Sequence, residues 1–254
     1  MVTRVFPPSG DKGPRFHLKG QGEKEFLRMN SNSYLGMSLR TEVMKAEEEG
    51  TARYGAGPGA VRFISGTYDI HVELERALAG FHGREESMIF SSAYATVMGT
   101  ISSLLTPETV AISDELNHNC IINAVRLARP HDKRVYPHLD LASLDAQLEE
   151  YKGKAKRAVV ITDGIFSMRG DHAPMDRIMA IAAKHDSGYP ENVVVVMDDS
   201  HGVGAFGETG RGTEEYTSSP PVDILIGTLG KAFGVNGGYV ASNAVLIRFL
   251  RESA

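Results

Sequence analysis

Four consecutive valines followed by a methionine, Val193–Met197, constrain the fold of this chain more than any other stretch. A short apolar run rich in β-branched residues is typical of a strand buried on both faces of a parallel sheet. Asp198, Asp199 and His201 follow directly after the run. Because ligands bind at the carboxyl ends of strands in open α/β sheets, these polar residues mark a candidate site.

A second apolar run, residues 222–228, ends shortly before Lys231, which is flanked by glycines. Another apolar run, residues 238–241, follows it. A lysine in a surface turn needs no buried strands on either side. We therefore expect Lys231 on the same rim of the sheet as Asp198 and His201.

Helical and strand-like patterns alternate from residue 69 onward. Leu74, Leu78 and Phe81 fall at helical spacing, and Asp69 and Gly83 can cap the two ends of that helix. The predicted strands are 87–90, 109–113, 134–136, 158–162, 193–197, 222–227 and 238–241, and further helices are predicted at 94–105, 118–128, 144–151, 174–184 (with Pro174 in its first turn) and from 243. This alternation predicts an α/β fold with a mostly parallel seven-stranded sheet that is covered by helices and joined by right-handed crossovers.

The segment before this pattern differs. Residues 1–28 are rich in turn formers, and residues 16–18 and 25–27 predict a short hairpin arm. Residues 54–66 contain four glycines, where a plain turn and a ligand-binding loop fit the pattern equally well. We predict an N-terminal arm over residues 1–38 and one large domain over residues 39–254.

Composition excludes several classes of protein. A net charge of -5 with both signs interspersed leaves no basic face for nucleic acid or anionic lipid, and no apolar run approaches the ~20 residues of a membrane span. The single cysteine, Cys120, excludes an internal disulfide and fits a reducing, cytoplasmic location. Its apolar neighbours Ile121 and Ile122 favour a buried helix position over a reactive thiol.

Three other interpretations of these residues fail on their context. Gly202–Gly207 has the spacing G-x-G-x-x-G, but a dinucleotide-binding fold needs the first glycine at the strand exit and a helix immediately after it. Here Asp198–His201 intervenes, and residues 208–212 have no helical pattern. The residues around Lys231 lack the earlier glycine and the Ser or Thr of a P-loop. No second cluster with metal-ligand spacing accompanies the acids and histidine, so we predict no metal.

Pyridoxal phosphate chemistry gives each residue a distinct role. The cofactor needs a lysine for a Schiff base, an anion near its pyridine nitrogen and a phosphate site. Lys231 supplies the amine and Asp198 the anion. Residues 90–95 run from a strand directly into a helix, whose free N–H groups and dipole favour a phosphate.

The motifs together resemble the α-oxoamine synthase family of fold-type I pyridoxal phosphate enzymes over residues 30–241. This family includes 2-amino-3-ketobutyrate CoA ligase (glycine C-acetyltransferase), 8-amino-7-oxononanoate synthase, 5-aminolevulinate synthase and serine palmitoyltransferase. The matching segments begin at Asn32, Val61, Asp114, Asp163, Asp198, Gly207 and Thr228. Three of them, those beginning at Asp163, Asp198 and Thr228, most resemble the aminoketobutyrate ligase branch.

The resemblance implies a role for each site residue. Lys231 would carry the cofactor and later act as the base at the substrate α-carbon, Asp198 would pair with the pyridine nitrogen, and His118 would stack on the ring. The other implied contacts are His201 and Ser167 to the phenolic oxygen, the backbone of Ala93 and Tyr94 with the Thr228 hydroxyl to the phosphate, and Asn32 to the amino-acid carboxylate.

The resemblance also implies an enzyme that condenses glycine with a short acyl-CoA, most simply acetyl-CoA, to an α-amino-β-keto acid and free CoA. One alternative is an oxononanoate synthase that uses alanine and a longer acyl-CoA. A non-catalytic partner subunit is the other, and it gives no reason to retain Lys231, Asp198, His118 and His201 together.

Family members are homodimers whose active site lies at the subunit interface. They continue into a small C-terminal domain with an arginine that clamps the substrate carboxylate, whereas this sequence ends at Ala254. We therefore expect that domain to be missing, and the chain alone to be poorly soluble and nearly inactive.

Overall fold

The computed structural model of the chain describes residues 3–5 and 15–254. The strands in that part are β1 (Thr3–Val5), β2 (Arg15–Leu18), β3 (Glu25–Leu27), β4 (Glu86–Phe90), β5 (Thr109–Asp114), β6 (Asp132–Tyr136), β7 (Arg157–Asp163), β8 (Ile165–Phe166), β9 (Asp171–His172), β10 (Val193–Asp198), β11 (Ile224–Thr228) and β12 (Gly238–Ser242). The α-helices there are α1 (Thr41–Tyr54), α2 (Asp69–Phe81), α3 (Ala93–Leu104), α4 (Asn119–Ala128), α5 (Leu141–Glu150), α6 (Met175–His185), α7 (Thr213–Thr217) and α8 (Ala244–Ser253). None of these helices is both long and apolar enough to cross a membrane.

Seven strands form the central sheet, in the order β4-β12-β11-β10-β7-β5-β6. The neighbouring strands run parallel, except that β12 is antiparallel to both β11 and β4. The predicted α/β fold with a mostly parallel seven-stranded sheet is confirmed.

Helices bury both faces of this sheet. On one face, Leu144 of α5 and Ile178 of α6 share a core with Val195. On the other face, Ile101 of α3 packs in a core that includes Val196. Successive residues of β10 therefore point into two different cores, which explains why its sequence is continuously apolar.

The N-terminal part lies outside this sheet. β2 and β3 pair antiparallel with Phe16 opposite Phe26, as the predicted hairpin requires, and β1 pairs with β2. The rest of the turn-rich segment, residues 1–2 and 6–14, lies outside the described residues. α1 buries none of its side chains. The division between residues 38 and 39 stays a prediction.

Several helix starts differ from the expected positions; α5, for example, begins at Leu141 rather than at Leu144. Tyr68 rather than Asp69 is the N-cap of α2. Pro174 is the N-cap of α6 and keeps a non-helical ψ of 77°, so it precedes the first turn instead of lying within it. α3 begins at Ala93, one residue early, because the Ser92 hydroxyl accepts the N–H of the third helical residue.

Candidate active site

The predicted site residues converge at the carboxyl edge of the sheet. Asp198 ends β10 and Asp163 ends β7, and the two are direct partners across these adjacent strands. Lys231 follows β11, and His118 is the N-cap of α4. They open into a cleft that is lined by Ala93, Tyr94, His118, Cys120, Asp163, Ser167, Asp198, Ser200, His201 and Lys231.

Two of the predicted site residues do not line this cleft. Thr228 ends β11, where its hydroxyl accepts the Gly230 N–H at 3.1 Å and donates to the Gly237 carbonyl at 3.3 Å. Asn32 is exposed in the loop before α1, and its carbonyl accepts the Tyr34 N–H. The individual roles of all the predicted residues stay predictions.

The two carboxylates at the strand ends share one environment. Asp198 and Asp163 are 7% and 8% exposed. Asp198 Oδ1 accepts the Ser200 N–H at 3.1 Å, and Asp163 Oδ2 accepts the His118 N–H at 3.0 Å. Burial first, and then the charge of Asp198, raises the pKa of Asp163. The buried Asp163 carboxyl therefore holds its proton more readily than an exposed one.

The amine of Lys231 lies in a partly buried turn. Leu229 and Ala232 on either side are packed inside, at 7% and 1% exposure, so the turn is anchored. Burial lowers the pKa of Lys231, while the charges of Asp198 and Asp163 act in the opposite direction. A lowered pKa leaves more of the amine unprotonated, which is the nucleophilic form.

His201 stands at the mouth of the cleft with Tyr34 as its partner. The Tyr34 hydroxyl and His201 Nδ1 are 2.5 Å apart. Burial, followed by the charges of Lys231 and His118, lowers the pKa of His201 to about 4. The imidazole is therefore neutral at physiological pH, and its other nitrogen remains free to contact a ligand.

The N-terminus of α3 forms the anion-binding end. The first N–H groups of a helix have no intrahelical acceptor, and here they belong to Ala93 and Tyr94. Gly238 of β12 allows the strand to approach this terminus closely. A Cβ atom on Gly238 would lie 2.5 Å from the Ala93 nitrogen and 2.5 Å from the Thr96 hydroxyl.

Several glycines pack closely around Asp199, an acid that does not line the cleft. Asp199 is fully buried and accepts hydrogen bonds from the Thr213 N–H at 2.7 Å and hydroxyl at 2.6 Å. Burial raises its pKa to about 7. A Cβ on Gly164, Gly202 or Gly212 would lie within 2.2 Å of its carboxylate oxygens. Within the G-x-G-x-x-G stretch, Gly202 therefore packs against the buried acid, whereas a Cβ on Gly204 would meet Ala232 and one on Gly207 would meet Glu215.

Four cleft-lining or partner residues have no role in the sequence-based prediction: Tyr34, Cys120, Asp163 and Ser200. Asp163 directly follows the predicted strand 158–162, so the signal that singled out Asp198 also applied to it. Ser200 lies within the matching segment that begins at Asp198. Tyr34 contacts a residue 167 positions away, and no local pattern indicates such a contact.

The donor set fits pyridoxal phosphate. A lysine with a lowered pKa, a buried carboxylate and a helix N-terminus face one cleft, as the cofactor's aldehyde, ring nitrogen and phosphate require. Ser200 lines the cleft, and its buried hydroxyl has no hydrogen-bond partner among the described residues. Within that same part of the chain, no group of three or more His, Cys, Asp or Glu residues could hold a metal ion.

Comparison with known proteins agrees with this geometry. A sequence profile of the aminotransferase class I and II family matches residues 24–254. An 8-amino-7-oxononanoate synthase of Bacillus pumilus is 42% identical over 233 residues, which are 91% of this chain and 57% of that protein. The 8-amino-7-oxononanoate synthase 1 of Bacillus subtilis is 41% identical over 95% of this chain and 59% of its own length.

Solved structures give the same result. A serine palmitoyltransferase of Sphingomonas wittichii superposes with a TM-score of 0.88 at 29% identity, covering 98% of this chain and 59% of that one. A serine palmitoyltransferase solved with pyridoxal phosphate superposes with a TM-score of 0.87 at 28% identity, covering 98% and 59%. The chain belongs to the aminotransferase class I and II family and, within it, to the pyridoxal phosphate-dependent α-oxoamine synthases. It spans less than three fifths of the length of these curated relatives.

Proposed function

We propose that this α-oxoamine synthase chain carries the cofactor-binding part of an acyltransferase that condenses an amino acid with an acyl thioester. The observation that carries the proposal is the single cleft in which Lys231, Asp198 and the N-terminus of α3 meet. When bound, pyridoxal phosphate supplies an electron sink that makes the amino acid's α-proton acidic.

The residues of the chain would divide the work as follows. Lys231 holds the cofactor's aldehyde carbon and later takes the proton from the substrate α-carbon, for which its lowered pKa prepares it. Asp198 keeps a proton on the ring nitrogen, and His118 covers one face of the ring. The remaining contacts are Ser167 and His201 to the phenolic oxygen, the N–H groups of Ala93 and Tyr94 and the Thr228 hydroxyl to the phosphate, and Asn32 to the amino-acid carboxylate.

The names of the relatives indicate the substrates better than the sequence motifs do. The relatives found at about 40% identity are named 8-amino-7-oxononanoate synthases, which does not support the aminoketobutyrate ligase branch that the motif wording favoured. The motifs lie around the cofactor site, whereas the size of the substrate that binds depends on the shape of the substrate pocket. The residues of these motifs therefore carry little information on the acyl donor. We therefore favour alanine with a longer acyl thioester over glycine with acetyl-CoA.

Release of free CoA decides between these substrates. Whatever its absolute rate, the cofactor-loaded protein should release CoA faster with alanine and a long-chain acyl-CoA than with glycine and acetyl-CoA. A matrix of both amino acids against acyl chains of increasing length, with Lys231→Ala as the blank, gives the comparison. Clear preference for glycine with acetyl-CoA would return the assignment to the ligase branch.

We also propose that the protein acts as a homodimer, as the family resemblance implies. Several large apolar side chains near the N-terminal end are open to solvent: Met29 (83% exposed), Phe63 (79%) and Ile64 (73%). Exposed apolar groups of this size are typical of interaction surfaces. Sedimentation at micromolar concentration should show a dimer, with Phe63→Ser shifted toward monomer relative to Val245→Ser, an exposed apolar control in α8. A wild-type monomer would contradict the proposal.

A further inference from the structure

The imidazole of His118 is held from its own helix. His118 is the N-cap of α4, and its Nδ1 accepts the Cys120 N–H at 3.2 Å. The thiol of Cys120 contacts the same ring nitrogen, with its Sγ 2.9 Å from Nδ1. The backbone N–H of His118 is fixed separately by Asp163 Oδ2 at 3.0 Å.

These contacts determine which ring nitrogen carries the proton. A backbone N–H can only donate, so Nδ1 must be the unprotonated, accepting nitrogen of a neutral imidazole. The Cys120 thiol then has to donate to the same lone pair. The proton of the neutral ring is on Nε2, the nitrogen turned away from the helix end.

The surroundings of the thiol keep it in the donating form. Cys120 is 3% exposed and lines the floor of the cleft. Burial first, and then the charges of Asp198 and Asp163, raises the pKa of Cys120 to about 12. A protonated thiol can donate to Nδ1, whereas a thiolate could not.

We propose that Cys120 is a positioning residue, whose thiol acts as a second donor to His118 Nδ1 and holds the ring against the cleft in the Nε2–H tautomer that the backbone N–H sets. The part that concerns the cofactor rests on the proposed function, in which His118 covers the cofactor ring. A cysteine that only filled the core would need its volume among Ile121 and Ala124. It would not need a sulfur atom directed at a ring nitrogen.

Cofactor-free protein labelled with ¹⁵N-histidine provides the first test. In the wild type, we expect His118 to show one unprotonated Nδ1 and one protonated Nε2, assigned by loss of the signals in His118→Asn. Cys120→Ala keeps the backbone N–H, so the tautomer should persist, but these signals should broaden because the ring has lost one of its two contacts at Nδ1. Cys120→Ser retains an O–H donor and should keep the wild-type pattern.

Cofactor affinity provides the second readout. Loss of one hydrogen bond predicts an affinity for pyridoxal phosphate about 2- to 10-fold weaker in Cys120→Ala, with most of the loss restored in Cys120→Ser. Thr100→Val is the matched control, because the Thr100 hydroxyl is buried and has no partner among the described residues. It should leave both the histidine signals and the affinity unchanged.

The possible outcomes separate the explanations. Wild-type histidine signals in Cys120→Ala would overturn the proposal, and so would equal disturbance by Ala and Ser, because that would assign the effect to the volume of sulfur. If Cys120→Ala does not fold, Cys120→Ser alone decides, and broadened His118 signals in it count against the proposal. Failure of the wild type to bind pyridoxal phosphate would contradict the proposed function but would not change the tautomer result.

Discussion

The two sides of the cleft are held in different ways. On the sheet side, Asp198 and Asp163 end adjacent strands, are nearly buried and each accept a backbone N–H. On the loop side, none of residues 30–40 is buried, and Tyr34 is 44% exposed and reaches His201 by one hydrogen bond. The sheet side is therefore rigid before a ligand arrives, whereas the loop side depends on few contacts.

One contact anchors the loop to the lysine turn. Gly234 has a φ of 78°, and a Cβ on it would lie 2.3 Å from the Ser38 nitrogen. Only glycine allows the two backbones to approach this closely. The difference between the two sides predicts that substitutions on the sheet side have large effects and that substitutions in the loop have small ones.

Lys231→Ala should have the largest effect. It removes both the attachment point of the cofactor and the proposed base, so we expect turnover to fall about 10²- to 10⁴-fold or more. CoA release by the cofactor-loaded protein measures it. Lys45→Ala in α1, whose side chain is 72% exposed, is the control and should behave as the wild type.

The acid pair tests the sheet side more finely. Asp198→Asn removes the buried charge opposite the ring nitrogen and should weaken cofactor binding by about 2–5 kcal/mol. Asp163→Asn should cost far less, because Asp163 holds its proton more readily and an amide oxygen can still accept the His118 N–H. Titration of both variants with the cofactor gives the ratio, and equal losses would show that the charge is not confined to Asp198.

The free energy of unfolding should depend on pH in part through the titration of His201. Its folded pKa is about 4, lowered mainly by burial, against 6.5 as the ordinary value. Between these values the unfolded chain binds a proton that the folded chain does not, so this term destabilises the fold as pH falls from 6.5 to about 4. Asp199, with a raised pKa, acts in the opposite sense.

For this reason the quantity to measure is the difference in the free energy of unfolding between the wild type and His201→Gln, obtained by urea unfolding at several pH values. The wild type should lose stability relative to the variant as pH falls through that window. A difference that does not change with pH would contradict the lowered pKa of His201.

Tyr34→Phe should have the smallest effect. It removes one partly exposed hydrogen bond to His201 and should weaken cofactor affinity by about 2- to 10-fold. Tyr216→Phe is the control, since this ring is 54% exposed and stacks on Phe206. A loss as large as that of Asp198→Asn would show that the loop is as much a part of the rigid site as the sheet.

The same division explains what the sequence could predict. Apolar periodicity records burial, so β10, β7 and the helices on both faces could be located from residue order alone. Parallel strands end at one edge, and this rule brought Asp198, His201 and Lys231 together before the structure was known, whereas His118 was indicated only by the family resemblance. The rule would also have brought in Asp163, because that residue directly follows the predicted strand 158–162.

The contacts that the sequence did not predict join residues whose pairing follows from no periodic pattern. The pair of Tyr34 and His201 joins an irregular loop to a strand exit, and the Cys120 thiol reaches His118 only because of how the first turn of α4 is capped. The relatives do not support the motif-based choice of glycine and acetyl-CoA for a related reason, because motifs around the cofactor do not describe the substrate pocket.

Identification of the lysine that carries the cofactor tests the central claim most directly. The protein is incubated with pyridoxal phosphate, reduced with borohydride and digested, and the modified peptide is sequenced by mass spectrometry. We expect to find the reduced cofactor on Lys231, in the peptide that contains Thr228 and Gly230. In Lys231→Ala we expect no label in the corresponding peptide. Stoichiometric label on another lysine, or none on Lys231, would contradict it.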